Sequence, residues 1–151
     1  MTSNNTKKDI LFLICNVVIP LLIGAYIYIY ISKDSYFGNF VRHFISIPTN
    51  ETKTLFRFLM KNWGGDFLWA YALFFALCFS MYPAGFMIKK SSLYTIACSV
   101  FVELLQLIQV DFIKCGTFDV LDIIIELFAV LVGVIVFKSY MYLIRKDNKY
   151  E

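Results

Sequence analysis

The stretch 102–126, VELLQLIQVDFIKCGTFDVLDIIIE, holds five of the chain's eleven carboxylates, Glu103, Asp111, Asp119, Asp122 and Glu126, with one base, Lys114. The residues between them are apolar enough to sit in lipid. A carboxylate there is costly, by about 2.5–3.5 kcal/mol on insertion scales, and such residues usually face inward and serve a purpose. Two carboxylates at one depth do not both ionise cheaply, so one keeps a proton or a cation lies between them. The chemistry open to such a cluster is cation binding, proton exchange, or Mg²⁺ coordination in a reaction on lipid-linked phosphates. Against the last, there is no HxxxD-like arrangement and no Ser or Cys nucleophile set, and the one histidine, His43, lies elsewhere.

The elements that must position these groups are long apolar blocks. The chain has 151 residues, 60% of them apolar and 19% aromatic, and its mean hydropathy is +0.69. A bilayer core of about 30 Å takes roughly 20 helical residues to cross. Four blocks reach that length, at about 10–32, 67–88, 91–110 and 120–144. Lipid offers the backbone no partner, and the blocks lack barrel-like alternation, so all four are expected as helices. The fold class is therefore all-α, a four-helix transmembrane bundle in one domain. The first block is longer than a signal peptide's apolar region and no small-x-small site follows it, so it reads as a retained span.

The loop 33–66 is patterned. Phe37, Phe40, Val41, Phe44 and Ile45 share one helical face, and Pro48 ends that segment. Over 53–62, Leu55, Phe56, Leu59 and Met60 lie opposite Lys53, Arg57 and Lys61. Both read as short amphipathic helices lying in the interface plane. Gly64-Gly65 is expected to break the second, with Asp66 capping the next span. Pro20 is expected to kink the first span. Tyr26, Tyr28 and Tyr30 form an aromatic belt at its end, and Trp63 and Trp69 act as interface anchors.

Orientation follows the bases. With the N-terminus inside, Lys7, Lys8, Lys89, Lys90, Lys138, Arg145, Lys146 and Lys149 are cytoplasmic, against Lys33, Arg42, Lys53, Arg57, Lys61 and Lys114 outside. Lys89-Lys90 sit in a very short connection, where the rule works best. Both termini are expected in the cytoplasm, with the acidic turn 111–119 facing outward. Cys15, Cys78, Cys98 and Cys115 have no CxxC spacing and read as buried filler, with no metal site and no cofactor implied. Asn50-Glu51-Thr52 fits a glycosylation acceptor, but nothing else points to a eukaryotic secretory protein. The net charge of +3 comes from scattered bases, which excludes a nucleic-acid groove.

The last two spans form an antiparallel hairpin. With a rise of 1.5 Å per residue, Glu103 and Glu126 both lie roughly 9–10 Å below its outer end, with Gln106 and Asp122 shallower. Asp119, Asp122 and Glu126, at i, i+3 and i+7, share a face. The candidate ligand-binding set is Glu103, Gln106, Asp119, Asp122 and Glu126. A purely structural reading stands beside it. Glu103 and Gln106 would bond across the hairpin, Asp119 would cap the fourth helix, and Glu126 would sit protonated.

Glu103-x-x-Gln106 on the third span, Phe118-Asp119-x-x-Asp122 opening the fourth and Gly133 beyond it resemble the VanZ-like family of small bacterial membrane proteins. The likeness covers about 98–136, with DFLWAYAL (66–73) also similar to some members. Three positions depart from the family pattern. Gly116 stands where an Arg is usual, Glu126 where an Asn is common and Ala129 where a Gly follows. The missing Arg removes the obvious counter-ion, and Lys114 offers only a flexible point charge in its place.

The resemblance implies an integral membrane protein of the bacterial cytoplasmic membrane, with an outward acidic motif and a role at the cell envelope. The leading expectation is a non-enzymatic protein whose acidic/amide pocket binds a cationic or amphiphilic envelope ligand and modulates antibiotic susceptibility. A metal-dependent enzyme on lipid-linked phosphates and a proton- or cation-coupled transporter working as a homodimer remain alternatives. The bilayer is the one partner the sequence requires.

Overall fold

The computed structural model describes residues 3–31, 43, 54–82, 88–107 and 119–147. The described residues are almost wholly helical. Helix α1 spans Ser3–Tyr26 and continues as a π-helical turn over Ile27–Ile31. Helix α2 runs over Leu55–Ser80, α3 over Ile88–Leu107 and α4 over Val120–Asp147. Among the described residues, three segments, Thr6–Ile31, Leu55–Ser80 and Val120–Leu143, are long and apolar enough to cross a membrane. The chain is a multi-pass membrane protein. Helix α3 carries Lys89, Lys90 and Glu103 and falls outside that group.

Much of the helical surface is apolar and open. Leu11, Leu22, Leu93, Phe101 and Leu143 are each about 60% exposed, a surface that water would not tolerate over this area and lipid does. The outer face of α3 shows Leu93, Phe101, Leu104 and Leu107, whereas the residues it buries are Ser91, Thr95, Ser99 and Glu103. These four recur at i, i+4, i+8 and i+12. The helix thus turns its polar side to its neighbours and its apolar side outward, the arrangement a lipid solvent selects.

Helix α2 is central and packs against each of the other three, and α3 also packs on α4. Leu13, Phe74, Phe75, Cys78, Val130 and Phe137 form the buried core between α1, α2 and α4. Phe12 stacks on Tyr140 with ring centroids 3.7 Å apart. Gly133 lies under Phe74. A Cβ there would stand 2.7 Å from Phe74 Cδ1, so only glycine lets α4 approach this ring. Halfway along α1, Tyr71 Oη donates to Asn16 Oδ1 at 2.6 Å, and Asn16 Nδ2 donates to the Phe12 carbonyl at 2.8 Å.

Two expectations about the segment before the second span are overturned. Residues 55–62 do not form a separate helix in the interface plane. Leu55–Leu59 passes through a π-helical turn, Met60–Gly64, straight into Gly65–Ser80. Nor does Gly64-Gly65 break the helix. A Cβ at Gly65 would lie 2.6 Å from Tyr28 Oη, and one at Gly64 would lie 3.2 Å from Ile27 Cδ1. The pair serves close approach between α1 and α2, and that packing outweighs the weak helix propensity of glycine.

The second span accordingly ends at Ser80, short of the expected 88, and α3 begins at Ile88. Pro20 sits inside α1 without ending it. Residue 43 is helical, while the rest of the expected helix 37–45 lies outside the described residues, as do Asp111, Lys114 and Gly116.

Candidate functional site

Asp119 is the N-cap of α4. Its Oδ1 accepts from the Leu121 backbone N–H at 2.9 Å, and its carbonyl accepts from the Asp122 N–H at 3.1 Å. Its own N–H donates to Glu103 Oε2 at 3.4 Å. The end of α3 is thereby tied to the start of α4, and a carboxylate lies where the helix dipole is positive. The packing role considered for Asp119 is present, and Glu103 supports it.

Asp122 follows one turn inward and is half-buried, and Glu126 another turn on is buried. Asp122 feels the charges of Glu103 and Asp119. Glu126 lies beside Ser99 and within electrostatic reach of Asp66, Glu103 and Asp122. The two acids expected at one depth therefore take different partners. Glu103 reaches toward Asp119, and Glu126 faces Ser99, one turn before Glu103 on α3. Gln106 is half-buried on the turn beyond Glu103.

Asp66 is the group that sequence reasoning misplaced. It does not cap a helix, because α2 is continuous through it. It is half-buried within electrostatic reach of Asp122 and Glu103. Four carboxylates from three helices, Asp66, Glu103, Asp122 and Glu126, thus gather at one end of the helices. The usable signal was the hydropathy of 55–80, which permits an unbroken helix once the glycines are read as contact residues.

Two buried oxygens in this cluster, Glu126 Oε2 and Ser99 Oγ, have no hydrogen-bond partner among the described residues. Ser99 Oγ stands near the Glu126 carboxyl without the geometry of a bond. Glu126 is 4% exposed and Ser99 2%. Buried polar atoms are nearly always satisfied, so such orphans mark a place where a water, an ion or a ligand group would bind. Among the described residues, no three His, Cys, Asp or Glu side chains converge closely enough to hold a metal ion.

Among the bases of the segment 33–66, Arg57 donates from Nη2 to the Tyr30 carbonyl at 3.4 Å, at the end of the π-helical turn that follows α1. Lys61 is exposed one turn later on α2, and His43 is also exposed. Arg42 and Lys114 are outside the described residues. Cys15, Cys78 and Cys98 are free thiols.

No protein-family model, no curated protein and no solved structure matches the chain.

Proposed function

We propose that the chain is a VanZ-like bacterial cell-envelope protein, a four-helix bundle in the cytoplasmic membrane with both termini in the cytoplasm. Its outward acidic pocket binds a cationic or amphiphilic envelope ligand and so modulates antibiotic susceptibility. It does so by binding rather than by catalysis. The supporting observation is the gathering of Asp66, Glu103, Asp122 and Glu126 from three helices. Such a cluster is stable only when a positive group or protons offset it. Glu126 Oε2 and Ser99 Oγ are the atoms a ligand or its water would satisfy.

Binding of dodecylamine to the protein in phosphatidylcholine nanodiscs tests the reading. Affinity should fall by about tenfold, 1.4 kcal/mol, in Glu103→Gln and in Asp122→Asn, with membrane abundance unchanged. Equal binding in wild type and both variants overturns it.

A second reading, proton- or cation-coupled transport by a homodimer, draws on the stripe that α3 buries. Ser91 to Glu103 is twelve residues, about 18 Å at 1.5 Å per residue, a polar seam that reaches Glu126 from the opposite end. Uptake into vesicles driven by a pH gradient and abolished by Glu126→Gln favours transport. Its absence leaves the binding protein.

A further inference from the structure

We infer that the groove between α1 and α2 is the tail-binding half of the acidic site, and that it draws a long-chain amine laterally from the bilayer. The inference rests on the cation-binding reading of the acidic cluster and adds the ligand's shape and route.

The groove encloses about 270 Å³. Its walls are apolar, made by Pro20, Leu21 and Gly24 of α1 and Leu68 and Trp69 of α2, and its polar end is made by Tyr28 and Asp66, where Tyr28 meets the start of Gly65–Ser80. From Pro20 to Tyr28 is eight residues, about 12 Å of α1 and the turn that follows it. The groove exists because a side chain is missing. A Cβ at Gly24 would meet nothing nearer than Leu68 Cβ at 4.0 Å. Leu21 and Trp69 are 48% and 38% exposed, so the groove opens on the face that lipid covers.

The two ends of the groove select an occupant. Asp66 belongs both to the groove and to the acidic cluster, where it feels Asp122 and Glu103. A carboxylate within electrostatic reach of the Tyr28 ring, in a groove that Trp69 also lines, offers an ammonium group both charge and an aromatic face. A phosphate-only headgroup would be repelled by the acids, and a neutral lipid would leave them uncompensated. A small soluble cation would leave the apolar walls unused. One alkyl chain carrying an amine meets both ends, and the bilayer is where such a molecule is concentrated.

The probe is dodecylamine with a diazirine at the tail terminus, photolysed on the full-length protein in phosphatidylcholine nanodiscs, with the dodecyl sulfate analogue as control. The amine should label 20–25 and 68–69, and the sulfate should label them about tenfold less. Asp66→Asn should cut labelling by a similar factor, and Gly24→Leu should move it out of the groove. Should Gly24→Leu fail to fold, Leu21→Trp fills the same space from a half-exposed position. Equal labelling by both headgroups, or adducts confined to the outer faces of α3 and α4, overturns the groove. Amine binding that survives Asp66→Asn and Gly24→Leu yet is lost in Glu103→Gln overturns the groove and leaves the acidic site standing. No amine binding to the wild type overturns both.

Discussion

The Asp119 backbone N–H donates to Glu103 Oε2 across 3.4 Å, so a buried carboxylate on α3 completes the N-terminal cap of α4. The same side chain that would face a ligand therefore also holds the hairpin together. Glu103→Ala removes this acceptor and should lower stability by about 1.5–3 kcal/mol, the range for hydrogen bonds to charged groups. Glu103→Gln keeps a carbonyl oxygen and should lose less. Thermal unfolding of the two variants in one detergent checks the order, and an equal loss in both would show that charge, not the acceptor, matters to the cap.

Gly133 and Phe74 make a second test, independent of the acids. Phe74 is fully buried, and a Cβ on Gly133 would stand 2.7 Å from its ring. The ring cannot retreat into solvent. Gly133→Ala should cost about 1–3 kcal/mol through overpacking. Gly24→Ala, whose Cβ meets only ordinary contact, should leave the unfolding midpoint nearly unchanged. Similar midpoints for the two alanine variants would refute the packing account.

The spans and the cap were legible because they rest on local physics. Long apolar runs set α1, α2 and α4, and Asp119 at the head of such a run is a cap by residue type alone. The stripe at Ser91, Thr95, Ser99 and Glu103 is also present in the sequence as an i+4 repeat, but small polar residues carry little hydropathy signal beside Leu and Phe. Asp66 was not legible in the same way. Gly64-Gly65 before an Asp is a helix stop by propensity, and only the approach of Ile27 and Tyr28 makes it a contact surface. The placement of Glu126 beside Ser99 was hidden as well. Depth along two helices can be counted from sequence, but the direction a long side chain takes cannot.

At the opposite end from the acidic cluster, Asp9 is 4% exposed and accepts from Tyr140 Oη at 2.9 Å and Tyr82 Oη at 3.2 Å. This joins the start of α1 to α4 and to the turn after α2. Tyr140→Phe leaves one carboxylate oxygen without its donor and should destabilise by about 1–3 kcal/mol. The longer bond to Tyr82 should matter less.

The Tyr82 phenol, outside the spans, is pushed above its ordinary value of 10.0 chiefly by burial. A hydrogen bond with Thr6 opposes the shift and the Asp9 charge adds to it. A group whose folded pKa is raised gives stability that is intact below the unfolded value and is lost as pH rises through the folded one. Unfolding midpoints should thus fall above pH 10 in the wild type, and less steeply in Tyr82→Phe. Identical alkaline profiles would remove Tyr82 from the account.

Between the two ends, the Tyr71–Asn16 bond at 2.6 Å joins α1 to α2 inside the apolar zone. Interhelical bonds in membranes average about 0.6 kcal/mol, because the separated helices find other partners. Tyr71→Phe should therefore be a mild variant despite the short distance, well below Tyr140→Phe. A larger loss would mean that Asn16 finds no replacement partner when the helices separate.

The sharpest separation of structure from function lies at Glu126. Among the described residues, its Oε2 and the neighbouring Ser99 Oγ are buried without hydrogen-bond partners. Ser99 Oγ already lacks a hydrogen-bond partner among the described residues, so an apolar side chain of similar size at 126 orphans no further group there. Glu126→Leu should keep or raise the unfolding midpoint, and Glu126→Gln should change it little. If the acids exist to hold a cation, both variants should weaken dodecylamine binding while the protein stays folded, a gain in stability at the expense of the site. A large drop in stability for Glu126→Leu, with binding lost only in proportion to unfolding, would mark Glu126 as a packing residue whose partner is structural.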